Sequence, residues 1–108
     1  MCSFKTWYHN EYIGYVVECK ECNNLQIGFG NVMATVSYTD FETLRKYVVY
    51  SKENYASDSN PLQKSILLQT PFSGLNFLLT ERELNDLHNM LEQTDNERKA
   101  AQLLQFFE

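Results

Sequence analysis

A chain of 108 residues with 44% hydrophobic and 21% charged residues, four glycines and two prolines has the composition of one globular domain, which excludes disordered and collagen-like chains. Its net charge of −5 is uneven, with six basic against seven acidic residues over 1–64 and three against seven over 65–108. Lys and Arg are concentrated nowhere beyond the pairs Arg45-Lys46 and Arg98-Lys99, which disfavours nucleic acid as a partner, and no aliphatic run exceeds a triplet such as Ile66-Leu67-Leu68, so no membrane span is expected.

Residues 1–24 start the chain with a stretch rich in aromatic and β-branched side chains. From Trp7 to Glu18 it predicts a hairpin turning near Asn10-Glu11. Residues 25–50 read as a first ββα unit. Leu25, Ile27 and Phe29 alternate with polar or small residues, Gly30-Asn31 turns the chain, and Val32, Ala34 and Val36 return it. Ser37 with Asp40 predicts a helix N-cap, and Phe41, Leu44, Tyr47 and Val48 follow at helical spacing.

The polar stretch 51–64, containing Asn60-Pro61, is expected to be a loop. Residues 65–93 repeat the same grammar: strands at Ile66–Leu68 and Leu75–Leu79, a turn over Thr70–Gly74, and a capping box Thr80-Glu81-Arg82-Glu83 that opens a helix through Leu84, Leu87, His88 and Leu91. A shift of 43 positions superposes the two units without a gap, pairing Leu25 with Leu68, Val36 with Leu79 and Ser37 with Thr80. Residues 94–108 read as a third helix capped at Thr94-Asp95. Its Ala100, Leu103, Leu104 and Phe107 are expected to close the protein's own sheet, with Phe106 and Phe107 as a sticky end for a second subunit the alternative. The fold class is therefore α+β, an antiparallel sheet from two ββα units with an N-terminal hairpin and a C-terminal helix.

Folding a chain this long buries roughly 60–70% of its unfolded surface, so the core needs no disulfides and the cysteines call for another explanation. Three cysteines form an odd count in a chain without an apparent signal sequence or an Asn-x-Ser/Thr acceptor, which points to reduced thiols and a cytoplasmic location. Cys19-Lys20-Glu21-Cys22-Asn23 spaces two thiols as a zinc knuckle does, and Asn23 suits the left-handed conformation that follows the second thiol. Cys2 and His9 extend the pattern to Cys-x6-His-x9-Cys-x2-Cys. If the N-terminal hairpin folds back, Cys2, His9, Cys19 and Cys22 would enclose a structural zinc, with His88 an alternative to His9.

Ordinary thiols are the plain alternative. A redox dithiol at Cys19 and Cys22 is another, weakened because the residues after Cys22 lead into a strand rather than a helix N-terminus. His9-Asn10-Glu11 with the two cysteines matches the letters of a zinc deaminase signature but lacks its proline and its α/β setting. Gly28-Phe29-Gly30-Asn31 lacks the third glycine and the helix of a dinucleotide loop. Tyr8, Tyr12 and Tyr15 would be binding anchors only if they shared one exposed face.

The stretch Cys19-Lys20-Glu21-Cys22-Asn23-Asn24-Leu25-Gln26-Ile27-Gly28-Phe29-Gly30-Asn31 resembles a small uncharacterised bacterial protein family in which a Cys-x-x-Cys leads into a Leu-Gln-Ile strand and a Phe-Gly-Asn turn. The resemblance implies an intracellular protein and supplies no activity. The functional expectation is a non-enzymatic binding protein that engages a protein partner or itself. A nucleic-acid-binding zinc-ribbon-like module is the remaining alternative.

Overall fold

The computed structural model describes residues 3–55 and 62–107. Six strands and two helices follow one another: β1 (Phe4–Asn10), β2 (Gly14–Cys19), β3 (Leu25–Phe29), β4 (Val32–Val36), α1 (Tyr38–Asn54), β5 (Ile66–Gln69), β6 (Asn76–Leu79) and α2 (Glu81–Phe106). The first four make an antiparallel meander in the order β1-β2-β3-β4, and β5 and β6 pair as a separate two-stranded sheet. The N-terminal hairpin thus joins the first ββα unit in one sheet, confirming the α+β class.

Local chemistry accounts for the boundaries. Asn10 Oδ1 accepts from the amides of Tyr12 and Ile13 at 2.9 and 3.0 Å, which turns β1 into β2. Gly14 then sits at φ 152°, where a Cβ would lie 2.0 Å from the carbonyl oxygen of Gly28, so only glycine allows β2 and β3 to approach there. Ser37 Oγ accepts from the Asp40 amide at 3.1 Å to start α1. At α2, Thr80 Oγ1 accepts from the Glu83 amide at 3.0 Å while Glu83 Oε1 accepts from the Thr80 amide at 2.9 Å, a complete capping box.

One apolar core joins all layers. Val16, Leu25, Ile27 and Val36 come from the large sheet, Phe41, Leu44 and Val48 from α1, Ile66, Leu68 and Leu79 from the hairpin, and Leu84, Leu87, Met90 and Leu91 from α2. Arg45 fastens the two helices to each other: it donates to Glu42 and Glu92 at 3.1 and 2.9 Å and lies 3.8 Å from buried Asp95. Burial pushes the Asp95 carboxyl up, but the Lys99 hydrogen bond and the Arg45 charge outweigh it and hold the group below its ordinary value.

Three expectations change. The loop starts later than residue 51, because α1 continues to Asn54 with Tyr55 as its C-cap; Asn60-Pro61 lies outside the described residues. The 43-residue correspondence holds from Val36 and Leu79 through the two N-caps, but not across the hairpins. Leu25 faces Val36 whereas Ile66, not Leu68, faces Leu79, so the second hairpin has slipped by two residues to accommodate a longer turn.

The third helix is not separate. No glycine or proline interrupts Glu81–Phe106, and Thr94 caps nothing: its hydroxyl donates to the Met90 carbonyl oxygen at 2.9 Å within a continuous α2. Nor does its end cover the sheet, since Leu103, Leu104, Phe106 and Phe107 are all exposed.

Candidate functional site

The Cys-x-x-Cys segment closes the end of β2 in a tight turn. The Asn23 amide donates to the Cys19 carbonyl oxygen at 2.9 Å, the Cys19 amide donates to the Asn24 carbonyl oxygen at 2.9 Å, and Asn23 takes φ 60°. Asparagine tolerates this left-handed conformation at little cost, which is why the turn needs no glycine. The Cys22 amide donates to Cys19 Sγ at 3.3 Å. An amide aimed at a sulfur holds that sulfur in place; binding a metal or attacking a disulfide further requires the thiolate. Cys19 is buried and Cys22 exposed, so the pair has one anchored and one accessible sulfur.

The start of the chain is tied to the same turn. The Lys20 amide donates to the Ser3 carbonyl oxygen at 2.9 Å, and the Ser3 amide donates to Glu21 Oε2 at 2.7 Å. That second bond leads the influences that hold the Glu21 carboxyl below its ordinary value. Glu21 Oε2 also lies 3.7 Å from Cys19 Sγ and accepts from the thiol.

The four sequence-derived ligands fare differently. Cys19 and Cys22 share the turn, where the Cys22 amide meets Cys19 Sγ. Cys2 lies outside the described residues. His9 is not brought to them: it faces Tyr15 in the β1–β2 ladder while Phe4 faces Cys19, so four residues of strand, about 13 Å, separate His9 from the turn. A zinc–sulfur bond is only about 2.3 Å, and no side-chain rotation bridges that gap.

His88 lies elsewhere too, its Nδ1 3.4 Å from Lys52 Nζ at the α1–α2 contact. An ammonium only donates, so Nδ1 accepts. Among the described residues no three His, Cys, Asp or Glu side chains are grouped to hold a metal ion. The tyrosines share no exposed face: Tyr12 is exposed at the first turn, Tyr8 is half-buried against the core, and Tyr15 lays its ring over Gly28 with its hydroxyl 3.3 Å from Gln26.

Beside the knuckle stands a cluster without a signal in the sequence. Glu18 accepts from Trp7 Nε1 at 2.8 Å and from Arg98 Nε and a terminal guanidinium nitrogen at 3.1 and 3.3 Å. Arg98 also lies 4.4 Å over the Tyr38 ring. Burial pushes Glu18 up, yet the hydrogen bonds from Arg98 and Trp7, with the charges of Arg98 and Lys5, hold it below its ordinary value. Glu18 and Arg98 are 80 residues apart, and neither belongs to a local motif that would have marked it. Their pairing fixes α2 against the strand that carries the knuckle.

No curated protein and no solved structure matches the chain. Across residues 1–108 it matches a family of unknown function, DUF6686, and the chain belongs to that family.

Proposed function

We propose that this is a non-enzymatic cytoplasmic binding protein whose N-terminal knuckle holds a structural zinc ion. Cys19 and Cys22 supply two thiolates. Cys2, the residue before the knuckle-bound Ser3, is assigned as a third; His9 takes no part, so the fourth position of the tetrahedron falls to another donor. The observation that carries the reading is the amide of Cys22 directed at Cys19 Sγ inside a turn closed by left-handed Asn23, a geometry that holds the first sulfur in place before a metal arrives. Zinc suits thiolate donors and imposes no geometry of its own, so the ion would fasten the chain's start to the end of β2.

Binding is assigned to the exposed apolar end of α2, with a second copy of this chain as the proposed partner. The test at the knuckle is thiol reactivity before and after a strong chelator. With zinc bound, Cys19 and Cys22 react slowly, the chelator speeds the reaction, and Cys22→Ser lowers metal content and stability together. Rapid reaction of one thiol with a depressed pKa in metal-free protein would instead favour dithiol redox chemistry.

A further inference from the structure

The turn that carries the knuckle also forms one wall of an open groove of about 390 Å³, with the C-terminal half of α2 opposite and Trp7 between them. That volume lies within the ordinary range for small-molecule sites, roughly 300–1,000 Å³. The ladder explains what gathers there. Lys5 faces Glu18 in the β1–β2 register, and Lys20, in the turn that follows β2, is bonded through its amide to Ser3; both lysines line the groove with Glu18.

Charge is concentrated in this groove against the trend of an acidic chain. Lys5, Lys20 and Arg98 line it with one carboxylate, Glu18, which already accepts from Arg98 and Trp7. Arg98 is thereby neutralised. Lys5 Nζ rests 4.5 Å from the Trp7 ring centre, and neither Lys5 nor Lys20 forms an ion pair among the described residues. Three cations against one carboxylate leave the groove with two positive charges in excess, with the side-chain amides of Asn23 and Gln102 beside them to donate to or accept from a polar organic group.

We propose that this groove binds a small organic phosphate monoester. A monoester carries close to two negative charges near neutrality, matching the groove's excess of two positive charges, and an ammonium is a compact point charge suited to phosphate. The guanidinium that would favour a planar carboxylate is occupied by Glu18. The groove stands on the knuckle's own backbone hydrogen bonds and does not require the metal.

Trp7 is the only tryptophan of the chain and lies in the groove, so its fluorescence reports occupancy. The experiment titrates the full chain with a nucleoside monophosphate, and in parallel with citrate, at low ionic strength and with matched sodium chloride as the blank. Its metal content is measured on the same sample. The expected result is a saturable Trp7 signal for the monophosphate, weaker for citrate, and at least about tenfold weaker binding when Lys5→Gln and Lys20→Gln are combined, a loss of about 1.4 kcal/mol.

Absence of saturation, citrate binding as tightly as the monophosphate, or a double variant that binds like the parent would each overturn the proposal. Saturation in a sample without zinc would remove the metal assignment and leave this one standing; zinc without saturation would do the reverse.

Discussion

Glu18 bears more structural responsibility than any other charged side chain near the knuckle, because it joins Trp7 of β1, its own strand β2 and Arg98 of α2. Glu18→Gln keeps the shape but leaves Arg98 largely buried without its counter-charge, and should cost about 2 kcal/mol near neutrality. The folded protein holds this carboxyl below its ordinary value, so its stabilisation is complete above that value of 4.5 and is lost as pH falls through the lowered one. Urea denaturation should therefore find parent and variant far apart at neutral pH and converging on acidification. A gap that persists unchanged in acid would mean that Glu18 acts through packing rather than charge.

At the scale of elements, glycines with positive φ separate two different demands. Gly14 needs both its φ of 152° and the absence of a Cβ, which would meet the Gly28 carbonyl; Gly30 has φ 57° with nothing within 4 Å. Gly14→Ala should cost at least about 2 kcal/mol by forcing β2 from β3, while Gly30→Ala should cost about 1 kcal/mol, the left-handed penalty alone. Thermal denaturation of the two variants decides it, and equal losses would contradict the close approach at Gly14.

The strands, both N-caps and the first turn were legible in the sequence because each rests on local chemistry: alternation at Leu25–Phe29, a hydroxyl at Ser37, a capping box at Thr80. What was not legible depended on distant partners. Thr94-Asp95 resembles a cap, but inside a continuing helix the Thr94 hydroxyl donates to the Met90 carbonyl oxygen, and Arg45 and Lys99 both engage Asp95 Oδ2, leaving Oδ1 buried with no hydrogen bond among the described residues. The tight turn that holds Cys19 and Cys22 was legible from their spacing, whereas the position of His9 required the hairpin register, which puts it at the opposite end.

For the whole molecule, the last turns of α2 present Leu103, Leu104, Phe106 and Phe107 to the surroundings, with the two phenylalanine rings 5.5 Å apart and edge-on. Such a patch favours burial against a like surface, and a two-fold pairing would cover both copies at once. Sedimentation equilibrium should show concentration-dependent dimers, and Leu103→Glu with Phe107→Glu should shift the protein to monomer with its thermal midpoint almost unchanged. A monomer at all concentrations would contradict the assignment of this end to self-association. No helix among the described residues is long and apolar enough to cross a membrane.

Metal stoichiometry is the most direct test of the knuckle. Elemental analysis combined with native mass measurement, on the 108-residue chain purified without chelator, should find about one zinc per chain in the parent and in His9→Ala, and none in Cys22→Ser. A metal-free parent that is folded and stable, or zinc retained in full by Cys22→Ser, would contradict the account.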